Sequence, residues 1–206
     1  MRVKFKENIL HKRLIEFIEN CELPTEMAIF QLHAFKENLT NKEHLAITLG
    51  KFKNNEPVLS RIHSQCLTGE SLYSLRCDCR FQLTESLKKI TLNGSGVVFY
   101  LQQEGRNIGL LNKVRAYKLQ DEGLDTVEAN HNLGFTDDPR DYKIVSAMAK
   151  HLEINCINLM TNNPHKIKAL EESGLTVNKR IPIKSKRTKY NQNYLKTKAE
   201  KLGHLL

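Results

Sequence analysis

Five consecutive apolar residues, Val97-Val98-Phe99-Tyr100-Leu101, follow the breaker Gly94-Ser95-Gly96 and run into a polar, glycine-bearing turn. A run without polar alternation, rich in β-branched and aromatic side chains, reads as a strand buried on both faces. Such a strand needs packed layers on either side. The flanking sequence supplies candidates. Arg80–Leu92 carries Phe81, Leu83, Leu87 and Ile90 at helical spacing, and Ile108–Leu119 reads as a helix ended by Gly123. Asp138-Pro139 predicts a helix start, Asp as N-cap and Pro at the first helical position, with Ile144, Val145, Met148 and Leu152 as its apolar face. Ile154–Met160 reads as a strand, Pro164–Ser173 as a helix closed by Gly174, and Leu175–Ile181 as a further strand.

Earlier in the chain, His44–Gly50 and Val58–His63 read as strands, with a turn at Asn54-Asn55 between them. Residues 1–20 carry Ile9, Leu10, Leu14, Phe17 and Ile18, the spacing of a short amphipathic helix, broken by Glu22-Leu23-Pro24-Thr25. Strands alternating with helices late in the chain, and strands without helices early, predict an α/β fold: a layered α/β/α domain with a mixed β-sheet. No apolar stretch is long enough to predict a membrane span, and the charged N-terminal residues lack the apolar core of a secretory signal.

Cys66, Cys77 and Cys79 crowd one short window, CLTGESLYSLRCDC. In an extended segment residues two apart face one side, so Cys77 and Cys79 can grip one ion. Three thiolates leave the fourth position of a tetrahedral metal open for water, the pattern of a metal that does chemistry. Two alternatives stand beside this one. His63, three residues before Cys66, could close a Cys3His structural site, or the three could be buried free thiols. Five cysteines, an odd number, fit a reducing cytosol better than a disulfide framework.

Two strand-to-helix junctions have the chemistry of phosphate binding. Gln102-Gln103-Glu104-Gly105-Arg106-Asn107-Ile108-Gly109 offers glycine-permitted close approach, a helix N-terminus and an arginine fork. It is neither a Walker loop nor a dinucleotide fingerprint. Met160-Thr161-Asn162-Asn163-Pro164-His165-Lys166 offers hydrogen-bonding side chains and a lysine beyond a strand's carboxyl end. Taken singly, each also reads as a capped turn with a surface cation. The stretch from Lys179 to Leu206 holds nine Lys/Arg and one acid, Glu200, and so nearly all of the chain's net charge of +9. A segment of that composition can bind nucleic acid or attract a polyanionic small ligand, and Lys184 to Lys189 taken alone reads equally as a mobile, solvated tail.

Together these segments resemble the GTP cyclohydrolase II family. The resemblance runs from about Leu23 to the C-terminus. It rests on RIHSQCLTGESLYSLRCDC, QEGRNIGLLNKVRAYKLQDEGLDTVEAN, LGFTDDPRDY, TNNPHKIKAL and YLKTKAEKLGHLL. It implies one Zn2+ per chain on Cys66, Cys77 and Cys79, with water in the fourth position and His63 a neighbour rather than a ligand. It implies GTP contacts at Arg61, Ile62, His63, Ser64, Gln65, Gln82, Glu104, Gly105, Arg106, Thr126, Thr161 and Lys166. It places Asp138 as proton acceptor, Arg140 as nucleophile toward the α-phosphorus, and Tyr117 in the active site. A guanidinium with its high pKa is a poor nucleophile, so electrostatic stabilisation is the physically easier role for Arg140.

The reaction implied is hydrolytic opening of the guanine imidazole ring with release of formate and pyrophosphate, Mg2+ accompanying the triphosphate. A cytoplasmic homodimer, without membrane or nucleic-acid partners, is the implied setting. Residues 1–20 then form an N-terminal extension, 21–183 the catalytic domain, and 184–206 its basic C-terminal segment. The chain departs from the family pattern at Gln65 (usually Glu), Arg80 (Gly), Gln102 (often Arg), His165 (Lys) and Ala28 (Gly). The competing reading is a catalytically weakened relative that binds nucleotide or RNA through the basic segment.

Overall fold

The computed structural model describes residues 14–53, 56–185 and 187–205. Among the described residues, seven strands form one sheet: β1 (Ile15–Pro24), β2 (Ile29–Glu37), β3 (Glu43–Leu49), β4 (Val58–Ser64), β5 (Gly96–Leu101), β6 (Cys156–Met160) and β7 (Thr176–Ile181). Their spatial order is β1-β2-β3-β5-β4-β6-β7. β1, β2, β3 and β5 pair antiparallel, while β5, β4, β6 and β7 pair parallel, so the sheet is mixed. β5 sits where the two halves meet.

Among the described residues, besides a distorted turn at Glu104–Asn107, seven helices accompany the sheet: α1 (Leu67–Glu70, a single turn), α2 (Cys79–Asn93), α3 (Gly109–Asp121), α4 (Thr126–Asn132), α5 (Lys143–His151), α6 (Pro164–Glu172) and α7 (Gln192–Glu200). The strand run Val97–Leu101 explains the layering. Val97, Phe99 and Leu101 pack into a core with Val145 and Met148 of α5 and Leu170 of α6. Val98 points the other way, to Ile90 and Leu87 of α2 and Met160 of β6. Both faces of the strand are therefore covered, giving the α/β/α layers expected. Among the described residues no helix is long and apolar enough to cross a membrane.

Two expectations need correction. Within 1–20, Ile15 to Asn20 belongs to β1 and pairs with β2, with a bulge between Phe17 and Glu19; residues 1–13 and the Asn54-Asn55 turn lie outside the described residues. A sheet edge was available to Ile15 and Phe17, and ladder pairing overrode a weak helical period. Second, α5 starts at Lys143 with Tyr142 at its N-cap position, not at Asp138-Pro139. The Asp138 carboxylate is engaged by Arg140 instead. Within the basic segment, α7 docks with Leu195, Thr197 and Lys198 buried, while Arg187, Thr188 and Lys189 are exposed.

Because β4, β5 and β6 run parallel, their carboxyl ends open on one edge. Cys66, the turn after Leu101, and Thr161 to Asn163 follow these strands in turn. That edge is the crevice in which open α/β sheets bind ligands.

Candidate active site

Cys66 follows β4, Cys77 sits in the loop after α1, and Cys79 begins α2. Their sulfurs all lie within 4.8 Å of one another, with Cys66 Sγ and Cys77 Sγ 3.6 Å apart. Tetrahedral zinc with bonds of about 2.3 Å requires sulfurs about 3.8 Å apart, so the donor set fits that ion. Gly69 leaves the space beside them open. A Cβ there would come within 2.6 Å of Cys77 Sγ and 3.1 Å of Cys66 Sγ. His63 is not part of this group. Its Nε2 meets Glu70 Oε1 at 2.7 Å, Tyr100 OH donates to Glu70 Oε2 at 2.6 Å, and its ring stacks on Tyr100.

Hydrogen bonds fix the cysteine loop. Lys113 on α3 is buried and donates to Cys66 Sγ at 3.1 Å and to Glu104 Oε1 at 2.5 Å. Glu104 Oε2 accepts from the Leu67 backbone N–H at 2.7 Å. Tyr117, one turn beyond Lys113, reaches Thr68 Oγ1 at 3.2 Å, under the Arg76 guanidinium. Burial raises the Tyr117 pKa, so its phenol stays protonated at neutral pH.

After β5 the backbone makes a left-handed turn: Gly105, Arg106 and Asn107 have φ of 60°, 61° and 76°. Asparagine adopts this region with little penalty, but at Arg106 it costs roughly 1–2 kcal/mol. The turn is tied down by Lys42 Nζ, which donates to Asn107 Oδ1, by Asn107 Nδ2 on the Pro139 carbonyl, and by Arg106 on the Asp137 carbonyl. Strain held in this way clusters at functional positions. Here it places Arg106 beside the 137–140 loop. Arg140 Nε donates to Asp138 Oδ1 at 2.6 Å and Nη2 donates to Oδ2, a bidentate pair. Burial opposes both charges, but the pairing outweighs it, holding Asp138 below the usual carboxylate range and Arg140 above its own.

Beside the cysteine cavity lies a second pocket, lined by Arg61, Lys166, Arg140 and Lys198. Arg61 donates to the Met160 carbonyl at 2.8 Å and to Gln82 Oε1. Burial pushes its pKa down to about 10. Lys166 donates to the Ile62 carbonyl at 2.8 Å, and burial, then Arg61 and Arg140, lower its pKa well below a free lysine's.

Of the residues singled out from sequence, Ser64, Gln65, Gly105, Arg106, Tyr117 and Thr126 line the cavity with the three cysteines. Arg61, His63, Gln82, Thr161 and Lys166 line the cationic pocket, and Ser64 and Arg140 border both. The Ile62 side chain is in the core, its carbonyl alone facing Lys166. Glu104 faces a neighbouring groove and holds Lys113. Asp138 lies behind Arg140, in a groove with His131 and Lys201. The exposed Arg80 stacks on the Tyr73 ring at 3.7 Å, away from both cavities.

Sequence reasoning missed Lys113, Asp78 and Lys198. A lysine on a helix gives no cue that it is buried. Asp78, between two of the cysteines, accepts from Lys198 Nζ at 2.8 Å, Gln82 Nε2 at 2.6 Å and Ser185 Oγ at 3.1 Å. Burial alone would raise its pKa, but Lys198, then Gln82 and Ser185, bring it down to about 2. Lys198→Met is expected to cost about 3–5 kcal/mol of stability, because a buried carboxylate loses its cation. Urea unfolding checks this, and a loss under about 1 kcal/mol would show that water reaches Asp78.

A family model described as GTP cyclohydrolase II matches residues 16–182. A protein named GTP cyclohydrolase-2 from Azotobacter vinelandii is 56% identical over 192 residues, covering 93% of this chain and 92% of its own. Proteins of the same name from Hahella chejuensis and Saccharophagus degradans are each 53% identical. They cover 93% of this chain and 93% and 96% of their own lengths.

Proposed function

The chain belongs to the GTP cyclohydrolase II family, and on that premise we propose that it hydrolyses GTP at the entry to riboflavin biosynthesis. The reaction opens the guanine imidazole ring, releases formate and pyrophosphate, and yields 2,5-diamino-6-(5-phosphoribosylamino)pyrimidin-4(3H)-one. The observation that carries this reading is the juxtaposition of an open three-thiolate cradle with a cation-lined pocket sharing Cys79, Ser64, Arg140 and Tyr194.

Cys66, Cys77 and Cys79 would hold one zinc ion, whose chemistry, when bound, is to activate water near neutral pH and act as a Lewis acid. The remaining work falls to this chain's side chains. Gln65, Thr126 and Tyr117 line the cavity that takes the base, and Tyr117 offers a protonated hydroxyl there. Lys113 offsets the negative charge of the thiolate set and fixes Cys66. Arg61 and Lys166 receive the phosphates, with Mg2+ neutralising the remaining charge of the triphosphate. Asp138 holds Arg140 as a rigid fork, and Arg140 stabilises the charge that develops at the α-phosphorus. A guanidinium held protonated by its carboxylate is ill suited to attack phosphorus, which favours this role over a nucleophilic one.

The test is incubation of zinc-loaded protein with GTP and Mg2+, following formate, pyrophosphate and the ultraviolet change of ring opening. Absence of all three in well-folded, zinc-loaded protein would overturn the reading.

Gln65 stands beside Cys66 and lines the base cavity. Glutamine retains one acceptor but adds an NH2 donor and lacks charge. Gln65→Glu is expected to raise kcat/KM for GTP about tenfold, equivalent to about 1.4 kcal/mol, by strengthening hydrogen bonds from guanine N–H groups. A variant equal to or slower than the parent across several pH values would show that Gln65 is matched to its own neighbours.

A further inference from the structure

Lys198 to Leu205 border the cationic pocket at two tethered points. At one end Lys198 Nζ is bonded to Asp78, the residue between Cys77 and Cys79. At the other, the Leu205 backbone N–H donates to the Asn162 carbonyl at 2.8 Å, in the loop after β6. Between them the His204 N–H donates to the Lys198 carbonyl at 3.0 Å, and His204 lines the pocket with Arg61, Arg140 and Lys166. The segment is therefore strapped from the cysteine loop to the carboxyl edge of the sheet, across the mouth of the crevice.

The charge of this pocket is unbalanced. Asp78 is paired with Lys198 and Asp138 with Arg140, while the hydrogen bonds of Arg61 and Lys166 go to carbonyl and amide oxygens rather than to a carboxylate. None of the residues lining the pocket is a carboxylate. Arg61 Nε and His63 Nδ1 are buried there without a hydrogen-bond partner. Buried cations and orphaned polar atoms are costly unless something compensates them, and a polyanion does both.

We propose that Lys198–Leu205 forms the outer wall of a polyphosphate pocket and that His204 is a substrate-contacting residue whose imidazole N–H donates to the phosphate chain. This rests on the functional reading above and extends it to a segment that reading does not use. Burial, followed by Lys198, Arg140 and Lys166, pushes the His204 pKa down to about 3, so the ring contributes a donor without adding a further charge to the cluster.

Calorimetry of the zinc-loaded chain with two separate probes, tripolyphosphate and guanosine, tests the proposal. His204→Ala is expected to weaken tripolyphosphate binding about tenfold, the loss of one hydrogen bond to a charged group, and to leave guanosine binding unchanged. His204→Gln, which keeps an N–H donor, should remain within about threefold of the parent, again on the scale of one hydrogen bond. The inference is overturned if the parent does not bind tripolyphosphate, if His204→Ala binds it as tightly as the parent, or if both probes weaken together. A parent that binds tripolyphosphate through His204 yet does not turn over GTP overturns the functional reading and leaves the pocket standing.

Discussion

Cys77→Ser and Cys79→Ser are each expected to lose bound zinc and to reduce GTP turnover by at least about 10³-fold, the rate equivalent of several kcal/mol of lost Lewis-acid stabilisation. Serine is a poor replacement because the soft thiolate is the ligand, and a hydroxyl does not ionise near neutral pH. The fold should survive. Neither cysteine belongs to the two hydrophobic clusters that hold the sheet to its helices. Metal analysis after gel filtration, together with circular dichroism, separates the two effects. Undiminished zinc in both variants would sink the assignment of these ligands. Zinc-free parent protein that is fully active would sink the metal's role altogether.

The second large effect is expected at Arg140. Arg140→Ala should lower kcat about 10²–10³-fold, the usual cost of removing a preorganised group that stabilises transition-state charge, with zinc content unchanged because Arg140 touches none of the cysteines among its hydrogen-bond and ion-pair partners. Arg140→Lys should recover part of the loss, since an ammonium supplies the charge but not the fork. Asp138→Asn should act more mildly by loosening the guanidinium. Asp138 is not a helix cap here, so its replacement does not carry the stability cost of a lost N-cap. Activity of Arg140→Ala within a few-fold of the parent would overturn the role. An acid-labile guanylyl phosphoramidate on Arg140, trapped and mapped without acid treatment, would establish nucleophilic attack in place of electrostatic stabilisation.

Much of the fold was legible because it depends on local pattern. The apolar run at Val97–Leu101 needs two covering layers wherever it lies. The spacing of Leu83, Leu87 and Ile90 turns one face of α2 to the sheet, and Asn163-Pro164 and Gly174 mark the ends of α6 as N-cap, first-turn proline and left-handed stop. The clustering of the cysteines was legible for the same reason: a short loop brings their sulfurs together. Where pattern misled, a distant partner had intervened. Ile15 and Phe17 suit a helix as well as a strand until β2 presents a pairing edge. Asp138-Pro139 has the composition of a helix start, but Arg140 claims the carboxylate.

The basic C-terminal segment shows the same division most clearly. Composition could say only that so many cations need solvent or an anion. Tertiary structure buries Lys198 against Asp78, 120 positions away in sequence, and brings His204 beside Arg61 and Lys166. The linear chain determines which residues can ligate a metal, cap a helix or fill a core, because those properties belong to the side chain and its immediate neighbours. Which charges are paired, which cations are left facing one another and which segment closes the pocket depend on desolvation and Coulomb energies between residues far apart in sequence, and those exist only once the sheet has brought them together.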